Sequence, residues 1–578
     1  MKTEPVIDLR STNAVWATVL VETLVRAGVR RAVVSPGSRS TPLTLALARN
    51  PGMEAIPVLD ERSAAFFALG MAKAASCPVV LVCTSGTAGA NYFPAVIEAH
   101  ESGVPLIVIT ADRPPEMRDC ASGQTIDQQK LFGSFARYYH EFSLPEATES
   151  RLRYLRQAVL HACERALGPV KGPVHLNAPF RDPLVAPADG SAAVNLSIDW
   201  ERFFRHVGSL RVGAHAAAGP LFTPSAKGLI VVGNETLDDD LPQSVAELAR
   251  KLGWPVITDG LSALRNHGGR VPNLVSTADL ILRNPAIAVS LRPETVVAIG
   301  GWPTSKVLRS WLEEADPLIW MCSERLGDRD ALHGRTRHGA SLRALVEAAP
   351  VVSERGSYAH LWMEQEEKAR RALDGSLEPL TELFEGKAAW LLARHLPSGT
   401  PLFVANSMPV RDVEYFWPPS DRQVRPFCSR GANGIDGTLS TAMGMAHATG
   451  VPSVLLTGDL ALLHDTNGFL LRPKIRGSLT IVLINNGGGG IFEHLPVAKA
   501  GPEFESYFAT PQEVDFGKLA GAHGVEHTRV RDWPHFVALI STLPAGGVRV
   551  LELPTDRKID ANRRRRMFAE ISAQLTAH

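Results

Sequence analysis

One local pattern recurs along the whole chain: a short β-branched run, a loop bearing Gly, Ser, Thr or Asp, then a helix-like stretch. It is read in "RRAVVSPGS", "PVVLVCTSGTAGANYFPAVIEAH" and "VPLIVITADRP", and again in "KGLIVVGN", "WPVITDG", "TVVAIGGWP" and "PLIWMCS". A third set is "PLFVANSMPVRD", "VPSVLLTGDLALLHD" and "SLTIVLINNGGGGIF". Strands apolar on both faces need helices above and below them, so they belong in parallel sheets. The pattern predicts an α/β chain of three doubly wound domains with parallel sheets, and it puts ligands at the strands' carboxyl ends. Length agrees: 578 residues exceed one hydrophobic core, at about 150 to 200 residues per domain. The boundaries expected are a first domain over 1–185, a Pro-, Ala- and Gly-rich linker over 186–225 and a central domain over 226–350. A charged helical linker over 351–386 then leads to a third domain over 387–578.

Lys+Arg and Asp+Glu each total 60, so no global field draws the chain to nucleic acid or an anionic membrane. Small molecules are the expected partners. The basic run "NRRRRMFAEI" (Asn562–Ile571) reads as a solvated or carboxylate-paired face. Cys77, Cys83, Cys120, Cys163, Cys322 and Cys428 show neither CxxC pairing nor zinc spacing, which suits reduced thiols. No run approaches the roughly eighteen apolar residues of a membrane span, and "MKTEPVIDLR" has no apolar signal core. The expected location is the cytoplasm. "VVGN" and "AIGGW" lack a GxGxxG fingerprint, which argues against a nicotinamide or flavin in the central domain.

The third set carries the most specific chemistry. "GDLALLHDTNG" follows the run "VPSVLLT", and "NNGGGG" ends the run "SLTIVLI", so Asp459 and Asn486 stand at the carboxyl ends of two strands. An anionic oxygen, an amide oxygen and a carbonyl from the glycine run are the few protein ligands Mg²⁺ accepts beside a diphosphate. Gly487 to Gly490 permit close backbone approach and positive φ. Either motif alone is ordinary turn chemistry. A GD and an NN separated by Leu460 and the stretch Ala461 to Ile484 have the spacing of the thiamine-diphosphate fingerprint.

With these residues the chain resembles the thiamine-diphosphate (ThDP) enzymes of the pyruvate-decarboxylase type, and within them the 2-succinyl-5-enolpyruvyl-6-hydroxy-3-cyclohexene-1-carboxylate (SEPHCHC) synthase family of menaquinone biosynthesis. The matching stretches are "SPGSRSTPLTLA", "DERSAAFFALGMAKA", "TSGTAGANYFPAVIEA", "TADRPPE", "TSK", "NSMPVRD", "SRGANGIDGTLSTAMG", "GDLALLHD" and "NNGGGGIF". Leu460 stands where most ThDP enzymes carry Gly, as in this family. The resemblance implies a pyrimidine-binding domain first, a central domain, and a diphosphate- and metal-binding domain last. It also implies the cofactor ThDP with Mg²⁺ or Mn²⁺, held by Asp459, Asn486 and the Gly488 carbonyl. Ser38, Asn91 and Ser440 join the cofactor set, and Ile435 props the cofactor in its bent form. Glu61 matches the glutamate that bonds pyrimidine N1′ and promotes the imino tautomer acting as base. Without the family, Glu61 and Asp60 equally suit a helix's first turn.

The reaction implied is decarboxylation of 2-oxoglutarate followed by 1,4-addition of the succinyl carbanion equivalent to isochorismate. Both substrates are dicarboxylates, so fixed cations are needed. Arg39, Arg113, Lys306, Arg411 and Arg430 are the candidates, with Ser38 and Ser407 as hydroxyl donors and Gln124 to orient substrate. Ile491 and Phe492 would wall out water. His464, beside the metal loop, reads as structural. The family's cofactor lies between subunits, which implies a homodimer at least and a homotetramer by resemblance. The residues also suit two alternatives, another ThDP-dependent 2-oxoacid decarboxylase or carboligase and a non-catalytic ThDP-fold binding protein. The first would need fewer cations, and the second would dispense with Glu61.

Overall fold

The computed structural model describes residues 4–208, 225–234, 240–323, 330–338, 342–351 and 356–575. It contains three six-stranded sheets whose strand pairs are all parallel. The chain divides into two compact units. The first comprises residues 1–214, 429–450 and 465–476; the second holds 215–428, 451–464 and 477–578.

In the first unit the sheet runs, in spatial order, Glu54–Pro57, Arg31–Val34, Val79–Cys83, Leu106–Asp112, Val174–Pro179 and Tyr138–Glu141. The two central strands Val79–Cys83 and Leu106–Asp112 are buried at every position, which is why their sequences read as unbroken apolar runs. The Glu61–Ala75 helix is capped by Asp60, whose side chain accepts from the Ser63 amide at 3.1 Å, and every residue from Ser63 to Ala72 is buried. A helix apolar on all sides needs partners on all sides. One partner is the Thr438–Thr449 helix. A Cβ at Gly70 would stand 2.0 Å from the Thr441 carbonyl oxygen, and one at Gly444 would stand 2.1 Å from the Phe67 carbonyl oxygen. The two helices therefore cross backbone to backbone, each through the other's glycine. The stretch 186–225, expected as a linker, is packed over its first part: the Val194 amide donates to the Leu9 carbonyl at 2.9 Å, and Phe203 and Phe204 are buried in the first core. Residues 209–224 of that segment lie outside the described residues.

In the second unit one sheet is ordered Arg335–His338, Leu318–Cys322, Thr295–Ile299, Gly228–Val232, Val256–Thr258 and Leu274–Val275. The other is ordered Arg425–Cys428, Pro401–Val404, Pro452–Gly458, Ser478–Asn485, Gly547–Pro554 and Glu526–Arg529. The Ser357–Leu377 helix, expected within a helical linker, buries Trp362, Ala369, Leu373 and Leu377 in a core shared with both sheets. Pro452–Gly458 and Ser478–Asn485 are adjacent, with Gly458 opposite Ile484. This register brings the carboxyl ends of the two strands, and with them Asp459 and Asn486, side by side.

The glycine crossing makes a differential prediction. Gly70→Ala and Gly444→Ala each drive a methyl into a backbone carbonyl, and such overpacking costs about 1 to 3 kcal/mol or more. Gly375 lies in the Ser357–Leu377 helix, where an added Cβ would meet nothing within 4 Å. Gly375→Ala should therefore stabilise by up to about 1 kcal/mol. Thermal unfolding of the three variants, falling for the first two and level or rising for the third, is the check.

Candidate functional site

Two sets of strand ends carry the candidate residues, one in each unit. In the first unit, Arg39 is buried; its Nη1 donates to the Phe180 carbonyl at 2.9 Å and lies 3.5 Å from Asp182. Arg113, next after the Leu106–Asp112 strand, donates to the Ser85 hydroxyl and, at 3.1 Å, to the Gln124 carbonyl. Gln124 has a left-handed φ of 53° and donates from Nε2 to the Ser85 carbonyl at 3.0 Å. Burial, and then the charge of Arg39, hold the Arg113 guanidinium below its ordinary pKa. The Nε atoms of Arg39 and Arg113 are both buried without a hydrogen-bond partner. Two neighbouring guanidiniums with unspent donors can together accept an anion. Ser38 is exposed beside them.

Glu61 is the first residue of its helix, with Asp60 doing the capping. Glu61 itself is half-buried in this chain. Its charge is felt inward: burial, with Glu61 adding, raises the Cys83 thiol and the Tyr92 phenol. No hydrogen bond to Glu61 is found among the described residues. The loop of Arg430 and Ile435 belongs to the same unit. Glu98 holds that loop, accepting from the amides of Gly431 at 3.2 Å and Ala432 at 2.7 Å, while Lys73 stands 3.1 Å from it. Burial pushes the Glu98 carboxyl up, but Lys73, Ser102 and the loop amide outweigh it and leave its pKa low. Ile435 and Arg430 are half-buried. Ser440 is fully buried, and both its amide and its hydroxyl donate to Asp465, at 2.6 and 3.1 Å. Asn91 is exposed and donates to the Thr87 carbonyl one turn back, at 3.1 Å.

The second unit holds the metal candidates. Asp459 is buried, and its carboxylate accepts from the amides of Leu460 at 2.8 Å and Gly488 at 2.7 Å. Burial outweighs these bonds and raises its pKa to about 6. Asn486 is also buried; its Nδ2 donates to Glu385 at 3.0 Å, and its Oδ1 has no partner. Gly488 has φ 125°, and a Cβ there would stand 2.3 Å from the Ala509 carbonyl oxygen, so only glycine fits. A desolvated carboxylate beside an orphaned amide oxygen is a donor set that fits a hard divalent cation. Among the described residues no cluster of three or more His, Cys, Asp or Glu competes as a metal site.

Ser407, at the head of the Met408–Phe416 helix, has φ 73° and ψ −128°, a costly conformation for a side-chain-bearing residue. Its carbonyl accepts from Arg411 at 2.6 Å. Ile491 and Phe492 follow the glycine run half-buried, with Phe492 edge-on to Phe508. Lys306 is exposed at the start of the Lys306–Ala315 helix on the other sheet of this unit, a helix capped by Ser305. His464 is exposed.

Several residues here escaped the sequence reading. Arg564, from the basic run, is buried and bridges Glu385 at 2.7 Å and Asp412 at 2.5 Å. His494 Nε2 lies 2.9 Å from Arg564 Nη1. Burial, then the charges of Arg564, Arg565 and Arg411, drop the His494 pKa to about 3. Arg557 donates to the Gly487 carbonyl at 2.6 Å. The sequence signal for this network was the basic run, read as a solvated or carboxylate-paired face; Arg564 takes the paired form, but buried.

Three family models match this chain in order. They are "Thiamine pyrophosphate enzyme, N-terminal TPP binding domain" over residues 15–131, "Middle domain of thiamine pyrophosphate" over 220–404 and "Thiamine pyrophosphate enzyme, C-terminal TPP binding domain" over 413–552. Three parallel sheets and these matches define a thiamine-diphosphate enzyme. A 2-succinyl-5-enolpyruvyl-6-hydroxy-3-cyclohexene-1-carboxylate synthase of Microcystis aeruginosa is 51% identical over 95% of this chain and 98% of its own length. Enzymes of the same name from a Synechococcus species and from Trichormus variabilis are 52% and 50% identical, over 97% and 98% of this chain and 97% and 99% of theirs. The chain belongs to the SEPHCHC synthase family.

The raised Asp459 pKa gives a pH prediction. A carboxyl that binds its proton up to about pH 6 must lose it to bind a cation. With ThDP present, Mg²⁺ affinity should hold steady well above pH 6 and fall below it, approaching about tenfold per pH unit. Calorimetric Mg²⁺ titrations between pH 5 and 8 test this; a flat profile would remove Asp459 from the cation's ligands.

Proposed function

We propose that this chain binds ThDP and Mg²⁺, for which Mn²⁺ can substitute, and catalyses decarboxylation of 2-oxoglutarate with 1,4-addition to isochorismate, giving SEPHCHC and CO₂. The observation that carries this is the buried, unpartnered Oδ1 of Asn486 next to the desolvated Asp459, on the last domain of a SEPHCHC synthase family member. Asp459, Asn486 Oδ1 and the Gly488 carbonyl would hold the metal. When bound, ThDP supplies a stabilised carbanion centre for the bond-breaking step. Glu61 holds a proton at pyrimidine N1′, and Ile435, Ser38, Asn91 and Ser440 complete the cofactor contacts. Asn91 and Ser440 already donate to Thr87 and Asp465.

The substrate carboxylates are met by Arg39, Arg113, Lys306, Arg411 and Arg430, with Ser407 and Gln124 orienting them. The paired guanidiniums of Arg39 and Arg113, each with a spare Nε–H, support this role. Ile491 and Phe492 keep water from the reacting carbon. The active unit is a homodimer or a homotetramer, in the cytoplasm. None of the six cysteines is in a disulfide, which suits that compartment. No described helix is long and apolar enough to cross a membrane.

The test is turnover of the full chain with ThDP, Mg²⁺ and 2-oxoglutarate, with and without isochorismate. Product should require both substrates. Arg411→Ala should lose about 2 to 5 kcal/mol of transition-state binding, roughly 30- to several thousandfold in kcat/KM, while ThDP affinity is retained. Efficient CO₂ release from monocarboxylic 2-oxoacids, with no product from isochorismate, would favour a different carboligase or decarboxylase.

A further inference from the structure

Asn486 offers a cation either its oxygen or, if the amide is turned over, two N–H groups that repel it. The two orientations have nearly the same shape, so something other than packing must choose between them. Glu385 is 3% exposed, and its Oε2 accepts from Asn486 Nδ2 at 3.0 Å. A carboxylate cannot donate, so it accepts only the NH₂ side and leaves Oδ1 directed elsewhere without a partner. Glu385 is itself held: its Oε1 accepts from Arg564 at 2.7 Å, and the same Arg564 nitrogen donates to Asp412 at 2.5 Å. Asp412 follows Arg411 on the Met408–Phe416 helix, so Arg564 ties the candidate metal loop to the helix that carries a candidate substrate arginine. Burial of three ionic groups is costly for stability alone, and apolar packing often replaces such triads without loss. Their arrangement serves a polarity instead.

We propose that Glu385, backed by Arg564, is a positioning residue that fixes the amide of Asn486 with its oxygen toward the metal. The proposal rests on the metal reading above, and it is separable from it. The wild-type chain with ThDP binding no Mn²⁺ would remove the metal reading. Defects confined to the variants address only Glu385.

The test is a polarity swap, read by Mn²⁺ binding to the full chain at saturating ThDP and followed by the electron paramagnetic resonance of free Mn²⁺. Glu385→Gln can either accept from or donate to the Asn486 side chain, so the lock is lost and Mn²⁺ affinity should fall about 10- to 100-fold, the usual effect of an outer-shell partner. Asn486→Asp alone adds negative charge at the cation, which by itself should tighten binding. The proposal expects weaker binding instead, because two carboxylates then face each other. Combining Glu385→Gln with Asn486→Asp restores a donor facing an acceptor and should regain at least about tenfold over either single variant, a coupling that independent structural losses do not show. Tighter binding in Asn486→Asp, or losses that simply add in the double variant, would overturn the proposal. So would unchanged affinity in Glu385→Gln.

Discussion

Two glycines, Gly70 and Gly444, let two helices of the first unit meet at backbone distance, and the placement of candidate chemistry in that unit depends on it. The Glu61–Ala75 helix begins with Glu61, and the Thr438–Thr449 helix begins just after the Arg430 to Asp436 loop. A methyl at either glycine would lie far inside van der Waals contact with the opposing carbonyl oxygen, at 2.0 and 2.1 Å. With no side chain between the helices at these two points, neither can slide or rotate without collision, because packed interiors leave no slack. Glu61 and the loop that carries Ile435 are thereby fixed with respect to each other. Glu98 adds an electrostatic tie, with Lys73 on one helix and the loop amides on the other side.

The second unit solves a different problem, that of holding negative charge and an oriented amide in a dry place. Parallel pairing sets Asp459 beside Asn486, and burial leaves the carboxylate wanting a cation. Backbone amides from Leu460 and Gly488 aim the carboxylate; Glu385 and Arg564 stand behind the amide. Ser407 stores strain at the head of the neighbouring helix, where Arg411 folds back on its carbonyl. Strain of this kind persists only where the surroundings over-determine it, and it clusters at functional sites.

How much of this was legible in the sequence follows from the physics of each part. The two middle strands of each sheet were readable because burial on both faces makes them unbroken apolar runs. Val174–Pro179 and Gly547–Pro554, also inside their sheets, were passed over because His175, Asn177, Arg549 and Glu552 interrupt theirs. The edge strands Tyr138–Glu141, Arg335–His338 and Glu526–Arg529 were missed, being short, polar and half-exposed. The strand-end positions of Asp459, Asn486 and the glycine run were legible because each directly follows an unbroken apolar run. Glu385, Asp412 and His494 were not, since their meaning lies in contacts with Arg564, which stands 70 to 179 positions away in a charge run. The charged stretch around Ser357–Leu377 looked like a connector because its buried residues, Trp362, Ala369, Leu373 and Leu377, are diluted by salt-bridged surface.

The central claim is that the carboxyl at the mouth of the Glu61–Ala75 helix activates the cofactor, while Asp60 does the work of a helix cap. Hydrogen–deuterium exchange at ThDP C2 on the full chain, stopped in acid and read by NMR, measures that directly. Glu61→Gln preserves size and hydrogen bonding but cannot hold the proton, so exchange should slow by about 10²- to 10⁴-fold with ThDP and Mg²⁺ still bound. Exchange as fast in Glu61→Gln as in the parent would reduce Glu61 to a helix-terminus charge and contradict the account.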